Sequence, residues 1–140
     1  MLSIRASRRI LLALVVGLAF ANCGRDLDPG EARTQLTGRY RLVLNSRPVD
    51  LQLDSSDLTL NADGTALQRC HFKNRPVEQV VGTWSFTAPR NVFFSRFIDC
   101  ARVFAGPSQD GAASLIVEFS DPPVIVLNPD IVGVFYERLR

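Results

Sequence analysis

The chain has 140 residues, 46% of them hydrophobic, and a formal charge of +2, enough for one domain with a substantial core and too short for two. Arg5, Arg8 and Arg9 fall in an N-terminal segment with the marks of a removable leader, and beyond Asn22 there are 13 basic residues against 14 acidic ones. That balance, with Lys73 the only lysine and the arginines scattered rather than clustered, excludes the basic field that a nucleic-acid partner requires.

Met1 to Arg9 carries three arginines and no acid, and the eleven residues from Ile10 to Phe20 are all apolar or glycine. This is the n-region and h-region pattern of a signal peptide, residues 1–22. A spanning helix needs about 20 apolar residues, whereas polarity returns here at Asn22, Arg25 and Asp26. Ala19-Phe20-Ala21 offers a small-x-small cleavage site. Phe20-Ala21-Asn22-Cys23 resembles the lipobox of bacterial lipoproteins, with Asn22 standing where that family has Gly, Ala or Ser. The resemblance implies that Cys23 is the lipid attachment site, followed by a polar tether, residues 23–35, and a membrane contact that does not span the bilayer. Simple secretion into the periplasm is the alternative. Ser7-Arg8-Arg9-Ile10-Leu11-Leu12 partly resembles a twin-arginine export signal, although paired arginines are common in any basic n-region.

From Leu36 onward, short alternating runs are broken by turn residues every eight to twelve positions, the texture of an antiparallel sandwich or barrel of about nine strands. Glu31 to Gln35 has room for one helical turn. Gly38 to Leu44 places Tyr40, Leu42 and Leu44 on one face and Arg39 and Arg41 on the other. After a turn at Asn45 to Pro48, Val49, Leu51 and Leu53 alternate with polar residues, which predicts a hairpin with the first strand. Leu58 to Leu60 leads into Asn61-Ala62-Asp63-Gly64, a tight turn in which Gly64 supplies a positive φ, and then into a strand from Thr65 to Phe72. A turn at Lys73 to Pro76 precedes Val77 to Phe86, where Gly82 suggests a bulge. Val92 to Phe97, Ser114 to Phe119, Val124 to Leu127 and Val132 to Leu139 complete the set. Ala105 to Ala113 reads as the longest polar loop. The aromatic and aliphatic set Trp84, Phe93, Phe97, Leu115 and Val117 reads as core filling the interior.

Cys70 and Cys100 are the two cysteines left for the folded domain, and export delivers them to an oxidising compartment, so a disulfide is the economical reading. A metal site of Cys70, His71 and Cys100 is the competing reading; adjacent strand residues point to opposite faces and no fourth ligand has suitable spacing. His71, the only histidine, would have to be the base of any Ser-His-Asp arrangement, yet no nucleophile elbow, paired-histidine metal motif or phosphate-cradling loop accompanies it. No cofactor, metal or catalytic residue is expected.

Leu36-Thr37-Gly38-Arg39-Tyr40, Leu58 to Thr65, Gly82-Thr83-Trp84 and Val134 to Leu139 together resemble the small lipocalin-like domains of bacterial lipoproteins. The likeness spans about 100 residues. It implies an all-β, up-and-down antiparallel barrel of about 8–9 strands over residues 36–140. In that family an early Gly-x-Trp packs its ring against a late arginine at the closed end, and Gly38-x-Tyr40 with Arg138 matches this pattern, Tyr replacing Trp. Such a stacking pair is worth about 0.5–2 kcal/mol. The resemblance further implies a non-enzymatic binding or interaction module of the cell envelope, facing the periplasm and anchored by lipid to a membrane, with a small apolar ligand or a protein as partner. The competing function is inhibition of a lysozyme-type enzyme, for which Ala105 to Ala113 is the candidate plugging loop.

Overall fold

The computed structural model describes residues 27–45, 52–102, 110–130 and 133–140. One helix, α1 (Pro29–Leu36), precedes eight strands: β1 (Gly38–Leu44), β2 (Leu53–Leu60), β3 (Thr65–Phe72), β4 (Glu78–Thr87), β5 (Asn91–Ile98), β6 (Asp110–Glu118), β7 (Val124–Val126) and β8 (Val134–Arg138). Each strand pairs antiparallel with the next, and β8 returns to β1 to close the barrel. Closure leaves the sheet with no terminal edge strand, which is how a small up-and-down sheet avoids pairing with other chains. The architecture is the expected all-β antiparallel barrel and is compatible with a lipocalin-like one.

The alternation that predicted the strands is also what buries them. Along β1, Tyr40 and Leu42 are buried while Arg39 and Arg41 are exposed; along β3, Ala66, Gln68, Cys70 and Phe72 point inward. Two irregularities break the period. Register shifts occur between Leu53 and Ser55 of β2 and between Phe94 and Phe97 of β5. The second lets Phe94 and Phe97, three positions apart, both point into the barrel.

Several expectations are corrected by this register. Phe93 lies on the outside, 45% exposed, and Phe94 takes the inward place, because Val92 and Phe94 share the inner parity of β5 ahead of the bulge. Gly82 marks no bulge, since the β3–β4 ladder runs through Ala66 and Gly82 without a shift. Its lack of a side chain instead serves a close approach: a Cβ there would sit 2.8 Å from Ser95 Oγ and 3.1 Å from the Arg96 backbone nitrogen. Asp110 to Ala113, read as loop, are the first residues of β6, where Asp110 pairs with Arg96 across the barrel wall. Leu53 and Leu58 to Leu60 belong to one strand, so the described residues form eight strands. The signal segment 1–22, Cys23, Val49, Leu51, the 103–109 part of the predicted loop and Val132 lie outside the described residues.

The helix occupies residues 29–36, overlapping the segment read as tether. Pro29 opens it with a pre-set φ, and the Asp28 carboxylate caps it by accepting from the Gly30 N–H at 3.0 Å. Ala32 and Leu36 are fully buried, so α1 stoppers the barrel end at which β1, β3, β5 and β7 begin. Arg33 places its guanidinium over the Trp84 ring, 5.7 Å from the centroid, while the indole N–H donates to the Asn61 carbonyl at 2.9 Å. Gly64 closes the β2–β3 turn at φ 87°, and Asp63 accepts from both the amide and the hydroxyl of Thr65. Those bonds hold the Asp63 carboxyl below its ordinary value.

Candidate functional site

Two places on the barrel gather polar groups or open space that the strand pattern alone does not require. The first is the lumen. Ser56 on β2, Gln68 on β3 and Tyr136 on β8 all point inward and are at most 2% exposed. The Tyr136 hydroxyl lies 2.6 Å from Ser56 Oγ and accepts from Gln68 Nε2 at 3.0 Å. Gln68 also reaches across to the chain leaving β5: its Nε2 donates to the Ile98 carbonyl and its Oε1 accepts from the Ile98 N–H, each at 2.8 Å. Burial, partly offset by the bonds from Ser56 and Gln68, pushes the Tyr136 hydroxyl up to about 12.

Beyond Ile98 the chain turns inward, with Cys100 2% and Ala101 0% exposed. Cys70, two positions beyond Gln68 on the same inner face of β3, is paired with Cys100, the Cα atoms 5.8 Å apart. Gln68 and the Cys70–Cys100 pair thus moor the segment from Ile98 to Ala101 to the inner surface of β3, two strands away from β5. With Tyr136 of β8 meeting Ser56 of β2 past the intervening β1, and Gln68 of β3 three strands away, the interior at this level is bridged by side chains. An eight-stranded barrel has an interior just wide enough for such filling.

The second place is the outer wall over the three-residue strand β7. A groove of about 430 Å³ runs there, lined by Ile116, Val124, Val126 and Phe135, with Arg90 and Glu118 at the helix end. Period two puts these residues outward, since Leu115, Val117, Ile125, Val134 and Tyr136 take the inward positions. A smaller recess of about 130 Å³ on the β1–β3 wall is flanked by Arg39, Asp57 and Arg69.

The residues singled out by sequence fall as follows. Tyr40 and Arg138 stand opposite each other in the β1–β8 ladder. Both act on the last turn of α1: the Tyr40 hydroxyl donates to the Leu36 carbonyl at 2.6 Å, and Arg138 Nη1 donates to the Gln35 carbonyl at 2.9 Å. Burial raises the Tyr40 hydroxyl far above its ordinary value, with Arg138 pulling the other way. Gly38 is required beside them, because a Cβ at its φ of 153° would lie 2.7 Å from Arg138 Nε. The guanidinium over an indole at this end belongs to Arg33. His71 is on the outer face, its Nε2 3.5 Å from Asp57 Oδ2. Ser55 is its register partner, but among the described residues the ring has no hydrogen-bonded hydroxyl, so the geometry supplies no nucleophile–base contact. Among the described residues no three potential metal-ligating side chains converge.

Sequence reasoning missed the lumen network and the groove. For the network the signal was present: Ser56 and Gln68 occupy inward positions in otherwise apolar inner faces. For the groove the signal was Val124-Ile125-Val126, a strand with apolar residues on both faces. Comparison with known protein-family models and with curated proteins finds no match.

Proposed function

We propose that the protein is a non-enzymatic interaction module of the bacterial cell envelope, anchored to a membrane by lipid on Cys23 and binding a protein partner through its barrel wall. The observation that carries this reading is the division of space in the barrel. Its middle is bridged by Ser56, Gln68, Tyr136 and the moored Ile98–Ala101 segment, while apolar surface lies open along Ile116, Val124, Val126 and Phe135 outside. A filled lumen disfavours a small apolar ligand and moves recognition to the outer surface. The anchor is supported by the basic and apolar leader that ends at Asn22, immediately before Cys23, and by the short distance in sequence from Cys23 to the capped start of α1 at Asp28.

Mass spectrometry of the mature N-terminus, together with membrane fractionation of wild type and Cys23→Ser, tests the anchor. A diacylated Cys23 and release of the serine variant into the soluble fraction are expected. An unmodified N-terminus at Asn22, with wild type already soluble, would overturn it. The wall is tested by Phe135→Glu and Val126→Glu, which should abolish partner binding and leave thermal unfolding of the barrel within a few degrees of wild type.

A further inference from the structure

The groove is part of a longer pattern on the outer wall. Ile116 of β6, Val126 of β7, Phe135 of β8 and Val43 of β1 are successive register partners. They form one apolar row four strands wide, every member outward and half-buried. The next row toward α1 reads Glu118, Val124, Glu137, Arg41. An antiparallel sheet that faces water on its outer side normally alternates apolar-in with polar-out, so a continuous outward apolar row needs a cover. The charges beside it are also unspent. Arg41 and Glu137 are directly opposite in the ladder, yet neither they nor Glu118 makes an ion pair among the described residues. Farther along that row, by contrast, Asp57 is engaged with His71 and Arg69 with Gln79.

We propose that this wall is the contact surface of a homodimer, a second copy being seated on it about a two-fold axis that runs along the strands between β7 and β8. The inference rests on the reading that the outer wall is the binding surface, and it names the partner. Such an axis reverses the order of the strands across the interface and preserves height along them. Val126 then meets the partner's Phe135, and Ile116 meets the partner's Val43. The apolar row covers itself from end to end, with each phenyl ring seated over the other groove. At the same time Glu118 meets the partner's Arg41, twice by symmetry, while Glu137, with Arg41 directly opposite it in its own ladder, lies over the partner's Val124. Moving the axis one strand toward β1 sets Val126 against β2, and moving it one strand toward β6 sets Phe135 against Asn91, the register partner of Ile116. The apolar row matching itself, with a Glu118–Arg41 pair at each edge of the second row, is the self-complementarity that an isologous contact requires. The same axis leaves both helix-closed ends on one side, so two chains tethered through their N-termini can meet this way on one membrane. A face four strands wide, with strands about 4.8 Å apart, is small for a protein interface, so the dimer is reversible, with a dissociation constant on the order of micromolar.

The test uses full-length chains co-expressed in a bacterial envelope, one carrying Ile116→Cys and the other Val43→Cys. These positions are three strands apart within a protomer, so a disulfide between them joins two chains. Phe93→Cys, on the exposed face of β5, replaces Val43→Cys as the control. A disulfide-linked dimer is expected with Val43→Cys and not with Phe93→Cys. Glu118→Arg or Arg41→Glu alone should weaken association about tenfold, and the two together in every chain should restore it. Light scattering of full-length chains bearing only the charge reversals reads the same equilibrium without added cysteines. Equal cross-linking to Phe93→Cys, no dimer at all, or charge reversals without effect would overturn the homodimer. If it fails while Phe135→Glu still abolishes binding of another protein, the wall reading stands without it; if Phe135→Glu abolishes nothing, both fall.

Discussion

Gln68 and Ile98, thirty residues apart, are joined across the barrel by two hydrogen bonds of 2.8 Å, the side-chain amide of one matching the backbone amide and carbonyl of the other. The glutamine stands in for a strand: it satisfies the buried N–H and C=O of Ile98, the last residue of β5, beyond the point where the β4–β5 ladder runs. Gln68→Leu keeps the volume and leaves both Ile98 groups without this partner. We expect a loss of about 3 kcal/mol in urea unfolding, from the cost of unsatisfied buried polar groups. A loss below about 0.5 kcal/mol would mean that the segment finds other partners, as surface substitutions do.

The Tyr136 hydroxyl, raised by burial from its ordinary value of 10.0 to about 12, makes stability sensitive to alkali. A raised folded-state value means that its contribution is fully present below pH 10 and is lost as the pH climbs from 10 to 12. By linkage the loss is about 2–3 kcal/mol. Tyr136→Phe should make that part of the pH–stability curve less steep, the likewise raised Tyr40 hydroxyl supplying the slope that remains, as followed by circular dichroism. At neutral pH the same variant should cost about 1–3 kcal/mol, because Ser56 and Gln68 lose their common partner.

Removing the Cys70–Cys100 link by the double change to serine frees a chain closure with a sequence separation of 30. The chain-entropy estimate for such a loop is about 3–4 kcal/mol. Urea midpoints of the oxidised wild type and the double variant should differ accordingly. Protease sensitivity should also rise first between Asp99 and Arg102, since that segment loses one of its two moorings.

Gly82→Ala places a methyl group 2.8 Å from Ser95 Oγ and 3.1 Å from the Arg96 backbone nitrogen. Ser95 Oγ is itself held by the Thr83 N–H at 2.8 Å, so it has little freedom to retreat. A destabilisation of about 1–3 kcal/mol is expected from overpacking. Gly111→Ala, where an added Cβ meets nothing within 4 Å, is the control and should stay within about 0.5 kcal/mol of wild type. Thermal melts of the two variants provide the comparison.

Local pattern carried most of the fold. The alternation in Gly38–Leu44 and Thr65–Phe72 and the Asn61–Gly64 turn express constraints that act over a few residues, and these are legible in a single chain. What escaped was register. The shift between Phe94 and Phe97 exchanges the faces of everything beyond it, and nothing in Asn91–Ile98 announces that two phenylalanines three apart both point inward. The role of Gly82 was hidden for the same reason: its constraint comes from Ser95 and Arg96 on the neighbouring strand. The lumen network needs Ser56, Gln68 and Tyr136 from three strands. Only the anomaly of polar residues at inward positions hints at it. The outer groove depends on which apolar residues stand side by side across β6, β7, β8 and β1, which becomes visible once the ladders are known.

The central claim, that the lumen is occupied by the protein itself and recognition belongs to the wall, is tested most directly by the fluorescence of Trp84. This is the only tryptophan; it points into the barrel and is 2% exposed. Titration with a brominated fatty acid, whose bromine atoms quench an adjacent indole, should give no saturable quenching up to the solubility limit of the acid. Saturable one-to-one quenching of Trp84 would place an apolar ligand inside the barrel and contradict the account.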